Sequence, residues 1–244
     1  QKAMEINTGD KKLINSRLYA DLGWVAAHLG DFNQAKEYWQ KGLELAKAIN
    51  HKGNISSLHY NLGWIEDRWV KLEQAEENFE TGLKIAREIG YLNMIGVIKT
   101  NMGAAEIHRG DYLKAKAHIQ EGLDITRKSR HVERIEVLLE NLAIASFRMG
   151  KYEEAETLFL RALDIKEKTL GPDDPDVGNS LANLGILYHL QQKFDEAEPL
   201  FKRALAISEK TLGEDHPDVA AIYEFKQRLM KLLLKKTCTV RRCK

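Results

Sequence analysis

The chain has 244 residues, of which 43% are hydrophobic and 30% charged, and its formal net charge is +1. This length can bury a substantial core, and the composition is that of a soluble globular protein, which excludes a disordered chain. No apolar run approaches the ~18 residues of a membrane-spanning helix. Both cysteines lie at the C-terminal end, which excludes a disulfide scaffold and favours a cytoplasmic location.

The positive charge is concentrated at the C-terminus. Residues 225–244 hold eight Lys or Arg side chains and no acidic one, whereas the rest of the chain has more acidic than basic side chains. A nucleic-acid-binding protein usually has a basic body, so nucleic acid is disfavoured as a partner. The chain opens with Gln1 and lacks a secretion signal pattern. We therefore expect it to begin inside a longer protein.

A repeated pair of helices is predicted along most of the chain. A large apolar residue followed by a small one recurs every 40 to 42 residues, at Leu22-Gly23, Leu62-Gly63, Met102-Gly103, Leu142-Ala143 and Leu184-Gly185. Farther along each copy comes a second large apolar side chain: Trp39, Phe79, Ile119, Phe159 and Phe201. Apolar spacings of three and four predict amphipathic helices, and glycines 30, 110 and 150 between them suit left-handed helix ends. One such hairpin cannot bury its apolar face alone, so neighbouring hairpins must stack.

This small–large–small pattern resembles the tetratricopeptide repeat (TPR) family. The resemblance implies an all-α fold, a right-handed α-solenoid (superhelix) of five helix-turn-helix repeats. The expected repeats span residues 13–50, 53–90, 93–130, 133–171 and 175–212. Two departures are local: Trp69-Val70-Lys71-Leu72 replaces the glycine turn in the second repeat, and Ile119 replaces the usual aromatic in the third. Both repeats are still predicted to form hairpins.

The last two repeats resemble kinesin-light-chain-type TPRs in their linkers. Residues 170–177 and 212–219 each combine a glycine helix stop with a Pro-Asp helix start. At the ends, we expect residues 1–10 to close a preceding repeat's second helix, residues 216–236 to form a capping helix, and residues 237–244 to form a basic tail.

Nothing in the sequence indicates catalysis. The chain has no G-x-S-x-G, no Gly-rich phosphate loop, no H-E-x-x-H and no C-x-x-C, and its histidines are scattered. We therefore predict no catalytic residues, no metal site and no cofactor, and a protein that is not an enzyme.

A ladder of polar residues precedes each Leu-Gly-type pair: Asp21, Asn61, Asn101, Asn141 and Asn183. Asn is a mediocre helix former, so its recurrence needs an explanation. The resemblance implies that first helices line a concave groove, where Asn side chains at this place bind a ligand's backbone. The alternative is that each Asn bonds its neighbouring repeat and sets the stacking angle, and both roles are compatible.

Basic and aromatic side chains share this helix face. Two turns after the ladder come His28, Arg68, His108 and Arg148, which favour an acidic partner; alternatively they pair with acids such as Asp67. Trp24 and Trp64 form either an apolar platform or inter-repeat packing, and Tyr60 lies on the same face.

The function predicted from these patterns is protein–protein interaction, with an extended peptide or partner segment held in the TPR groove. The alternative is a regulatory or sensor segment of a larger signalling protein, such as a switch ATPase or a transcription regulator. In that case the repeats would mainly contact other domains of their own chain.

Overall fold

The computed structural model describes residues 8–128 and 135–212, which form ten α-helices paired into five hairpins. Hairpins 1 to 5 take the helices in chain order, two to each hairpin. The helices are α1 (Thr8–His28), α2 (Phe32–Ala48), α3 (Lys52–Arg68), α4 (Leu72–Glu88), α5 (Leu92–Arg109), α6 (Tyr112–Lys128), α7 (Ile135–Arg148), α8 (Tyr152–Leu170), α9 (Pro175–Leu190) and α10 (Phe194–Leu212). The all-α repeat fold predicted from the sequence is confirmed.

The chain divides into two compact units, Gln1–Glu133 and Arg134–Lys244. The first unit contains hairpins 1 to 3 and the second contains hairpins 4 and 5. Residues 8–10, expected to belong to a preceding helix, form the first turn of α1. Residues 1–7, the expected capping helix at 216–236 and the basic tail at 237–244 lie outside the described residues.

Each hairpin is closed by a large side chain of its second helix, packed against the small residue of its first helix. Trp39 and Phe79 are buried as predicted, with exposed fractions of 0% and 2%. A Cβ atom on Gly23 would lie 2.1 Å from Nε1 of Trp39, so only glycine allows this close approach. The Ser16 hydroxyl donates to the Gly42 carbonyl at 2.9 Å, which joins α1 to α2 a second time.

Neighbouring hairpins stack through a second glycine position, this time on the second helix. Leu58 of α3 is completely buried, and its Cδ2 lies 3.3 Å from where a Cβ on Gly42 of α2 would stand. Ile98 of α5 packs against Gly82 of α4 in the same way, also at 3.3 Å. Each first helix in the middle of this unit is therefore covered by the second helix that precedes it.

The turns inside the hairpins need a left-handed residue. Gly30, Gly110 and Gly150 supply it with φ of 83°, 83° and 74°. In hairpin 2 the same place is held by Val70, with φ of 59° and its side chain exposed. A β-branched residue in this conformation is strained, because its Cβ crowds the following carbonyl oxygen.

Val70→Gly is expected to raise the urea midpoint of unfolding. Relief of a left-handed β-branched residue is worth ~1–2 kcal/mol, and the entropy that glycine adds to the unfolded chain offsets about half of it. Gly150→Val is the reciprocal change and should lower the midpoint. A lower midpoint for Val70→Gly would show that the valine is not strained at this turn.

Candidate functional site

The polar ladder does not have one uniform environment. Asn61 is a core residue, only 4% exposed. With its amide oriented to match its neighbours, its nitrogen donates to the Ser57 carbonyl and its oxygen accepts from Nε1 of Trp39, both at 3.2 Å. The groove role predicted for Asn61 is corrected accordingly: its burial and these two bonds make it a packing residue.

The other ladder residues lie closer to solvent. Asp21 is exposed, whereas Asn101, Asn141 and Asn183 are half-buried. Nδ2 of Asn101 donates to the Val97 carbonyl at 2.9 Å and reaches the hydroxyl of Tyr60, on the preceding first helix, at 3.5 Å. Nδ2 of Asn183 reaches Glu140 on its own preceding first helix, also at 3.5 Å. These bonds agree with the stacking role that the sequence left open, and they leave part of each amide for other contacts.

Three indole rings of hairpins 1 and 2 form one cluster. The ring centroids of Trp24 and Trp64 are 5.1 Å apart, and each also contacts the buried ring of Trp39, at 5.2 and 6.3 Å. Trp24 and Trp64 are themselves half-buried. They therefore serve as packing and at the same time present an apolar surface, so both interpretations of these residues apply.

Arg68 completes this surface. Its guanidinium carbon lies 5.1 Å from the ring centres of both Phe32 and Trp64, and the residue is exposed to solvent. None of the carboxylates in residues 8–128 or 135–212 forms an ion pair with Arg68. Phe32 was not singled out from the sequence, although its place directly after the helix turn of hairpin 1 is a usable signal. We call Trp24, Phe32, Trp64 and Arg68 the aromatic–arginine cluster.

The remaining candidates lie apart from this cluster or beside it. His28 is exposed, and its ring centroid is 6.3 Å from that of Trp24. His108 meets Asp67 with its Nδ1 3.1 Å from Oδ2, which is the pairing that the sequence offered as an alternative. Arg148 is exposed in hairpin 4. Tyr60 is half-buried, with its ring centroid 6.3 Å from that of Phe79.

Comparison with known families agrees with this architecture. The tetratricopeptide repeat profile matches residues 15–88, 133–210 and 183–225, which together cover more than half of the chain. The chain belongs to the tetratricopeptide repeat family. No curated protein matches its sequence.

Solved TPR structures share the fold at low identity. BtubC (BKLC) from P. vanneervenii is 22% identical with a TM-score of 0.67, over 86% of this chain and 91% of that one. Nearly identical TPR-like repeats assigned to a Podosopora anserina kinesin light chain are 19% identical with a TM-score of 0.61, over 81% and 98%. The TPR sensor of a STAND signal transduction ATPase from Pyrococcus horikoshii is 21% identical with a TM-score of 0.69, over 91% of this chain and 34% of that one.

TPR domains generally mediate protein–protein interaction and are typically non-catalytic. This coarse statement holds for the present chain. None of the helices within residues 8–128 and 135–212 has both the length and the hydrophobicity that crossing a bilayer requires.

Buried charges are the part of the TPR core that the sequence reasoning missed. Lys36 pairs with Glu66 at 3.1 Å, Lys99 with Glu121 at 2.8 Å, and Lys166 with Glu140 at 2.7 Å. In each pair one side chain is at most 8% exposed. A signal was present: Glu66 and Glu106 hold the same repeat position, flanked by core residues. Each pair joins a first helix to a second helix.

Two histidines lie within these polar regions. Burial lowers the pKa of His59, and the hydrogen bond between its Nδ1 and Oδ1 of Asn78, 2.7 Å long, only partly opposes this effect. Burial also lowers the pKa of His118, and the ammonium of Lys99, 3.1 Å away, lowers it further. Both rings are therefore neutral in the fold over a pH range in which the unfolded chain binds protons.

Stability is expected to fall as the pH drops below about 6.5, the ordinary pKa of histidine. Because both folded-state pKa values lie below that value, the unfolded state binds more protons and gains free energy as the pH decreases. Urea midpoints at pH 7.5 and 5.5 measure the effect. The double variant His59→Gln/His118→Gln should lose part of the difference, and the exposed control His28→Gln should keep it. An unchanged difference in the double variant would assign the effect to other groups.

Proposed function

We propose that hairpins 1 to 3 bind an extended, acidic segment of a protein partner along the exposed side of their first helices. The observation that carries this proposal is the aromatic–arginine cluster. It presents an exposed guanidinium, held against two rings, that none of the described carboxylates neutralises. Membership of the TPR family supports a protein partner in general; the acidic, extended ligand is the finer part of the proposal.

The cluster suits a carboxylate for two physical reasons. Guanidinium groups bind carboxylates through two parallel N–H···O bonds, which are stronger than bonds between neutral groups. Stacking of Arg68 on Phe32 and Trp64 restricts its conformations before a ligand arrives, so less entropy is lost on binding. The half-buried Trp24 and Trp64 beside it offer apolar contact area of the kind that often dominates interfaces.

Asn101 supports the extended conformation of the ligand. Its Nδ2 is used within the fold, by the Val97 carbonyl and the Tyr60 hydroxyl. Its Oδ1 accepts no hydrogen bond from any described residue and can accept one from a peptide N–H. Asn101 thus combines the stacking role and the ligand-binding role that the sequence left as alternatives.

A peptide selection tests the proposal. A random 12-residue peptide library displayed on phage is panned against the 244-residue chain and against its Arg68→Gln variant. We expect acidic sequences to be enriched on the wild type. Affinity for them should fall about 10-fold or more in Arg68→Gln, since a charged hydrogen bond contributes ~1.5–3 kcal/mol. The control is Arg127→Gln, an exposed arginine on the second helix of hairpin 3.

Three further results decide the interpretation. Loss of binding in Asn101→Ala, with unchanged helicity and urea midpoint, supports a role of this amide in holding the ligand. The double variant Asn101→Ala/Asn141→Ala extends the test to the second unit. Enrichment of non-acidic peptides, or equal binding by wild type and Arg68→Gln, would contradict the acidic-ligand proposal.

A second candidate is a sensor segment within a larger signalling protein. The similarity to the TPR sensor of the STAND ATPase favours it, because 91% of this chain aligns with only 34% of that protein. In that case the aromatic–arginine cluster would bind an acidic segment of its own chain. A cytoplasmic location is part of both proposals.

A further inference from the structure

One face of α1 carries four large aliphatic side chains that are exposed to solvent. Ile14, Leu18, Val25 and Leu29 have exposed fractions of 55%, 52%, 55% and 80%. They are spaced by four, seven and four residues, so they form a single stripe along the helix. We call these four residues the α1 stripe. An aliphatic stripe of this length on a helix of a soluble domain marks an interaction surface.

The corresponding positions in the next two hairpins are buried. Leu58 and Ile98 stand 40 and 80 residues after Leu18, and both are 0% exposed. Ile65 and Ala105 stand the same distances after Val25 and are 0% and 6% exposed. The side chain contacts at Gly42 and Gly82 show what covers these positions: the second helix of the preceding hairpin, at its central glycine.

We propose that the α1 stripe is the docking surface for the second helix of a further hairpin, placed N-terminal to α1 in the same chain. Two observations favour this occupant. The stripe has the same register as the faces that α3 and α5 present to α2 and α4, so it continues an existing type of interface. In addition, the sequence ahead of α1 matches the end of a second helix: Ala3, Ile6 and Asn7 have the spacing of Ala46, Ile49 and Asn50.

This occupant has a defined chemistry. It is an amphipathic helix with a glycine or alanine at its centre, because Leu18 needs the clearance that Gly42 gives Leu58. Large aliphatic side chains follow on the same face, as Leu43 and Ala46 do in α2, where both are buried. Burial of two more aliphatic side chains per interface supplies a favourable hydrophobic contribution.

An extended chain tests the proposal. A copy of residues 12–51 is placed directly ahead of residue 12, so that a second α2 precedes α1 through the linker that normally joins α2 to α3. Hydrogen exchange of α1 amides is compared in the 244-residue and extended chains. We expect exchange in α1 to slow at least 10-fold in the extended chain, because the stripe becomes covered.

Variants on α1 separate the outcomes. Leu18→Glu should leave the urea midpoint of the 244-residue chain unchanged and should abolish the added protection in the extended chain. Arg17→Glu, an exposed neighbour outside the stripe, should preserve that protection. Equal exchange rates in both chains would overturn the proposal. So would a dimer of the 244-residue chain in sedimentation that Leu18→Glu dissociates, since this result would assign the stripe to a second copy.

Discussion

Gly23→Ala is expected to destabilise the N-terminal unit by about 3 kcal/mol, at the upper end of the usual overpacking cost. The added methyl would stand 2.1 Å from Nε1 and 2.4 Å from Cδ1 of Trp39, well inside van der Waals contact. The indole cannot swing away, because its Nε1 donates to the Ala20 carbonyl at 3.0 Å and to Asn61. Urea denaturation followed by circular dichroism measures the loss.

Two variants control for the effect of alanine itself. Gly53→Ala lies in the first turn of α3, where an added methyl comes within 4 Å only of the His51 side chain, at 3.4 Å or more. This variant should not lose stability. Gly23→Ala/Trp39→Phe recreates the alanine–phenylalanine pair of hairpin 4, Ala143 and Phe159, and should recover part of the loss. Equal effects of Gly23→Ala and Gly53→Ala would show that the close approach of Trp39 is not what requires glycine.

Glu140→Ala is expected to destabilise the second unit by about 3–5 kcal/mol, the usual cost of leaving a buried charge unpaired. Lys166 is only 4% exposed in its side chain, and its Nζ lies 2.7 Å from Oε2 of Glu140. The Ser180 hydroxyl accepts from the same ammonium at 2.9 Å and donates to Oε1 of Glu140 at 2.8 Å. Removing the carboxylate therefore leaves both the ammonium and the hydroxyl short of a partner.

The reverse experiment distinguishes a buried-charge penalty from simple loss of packing. Glu140→Leu/Lys166→Met replaces both charges by apolar side chains of similar length, and such replacements are often neutral. Most of the stability should return in this double variant, as measured by urea midpoints. If the double variant is as unstable as Glu140→Ala, the ion pair itself, rather than the absence of an unpaired charge, stabilises the unit.

The helices and their turns were predictable because they depend on local, repeated signals. Recurring Gly-Ala-aromatic spacings placed the hairpins, and glycines 30, 110 and 150 placed their turns, as the positive φ values confirm. Val70 shows how far this goes: the hairpin forms without its glycine, because stacking of its two helices outweighs the strain of one residue. Ile119 likewise fills the place of an aromatic and is fully buried.

The side-chain environments were less predictable because they depend on which neighbour each residue meets. Asn61 and Asn101 occupy the same repeat position, yet Asn61 is buried against Trp39 whereas Asn101 is half-buried beside Tyr60. The difference follows from the bulky indole in hairpin 1, whose N–H needs acceptors. The pairing of Lys166 with Glu140 spans 26 residues, and a charge at that distance gives no periodic signal. Tertiary contacts of this kind cannot be inferred from spacing alone.

The distribution of tryptophan along the chain has a spectroscopic consequence. All four tryptophans lie between residues 24 and 69, and three of them form the indole cluster of hairpins 1 and 2. Indole emission thus reports only on these two hairpins, whereas far-ultraviolet ellipticity averages over every helix. Since repeat arrays are held together by nearest-neighbour interfaces, the two optical signals together resolve where along the array unfolding begins, without any added label.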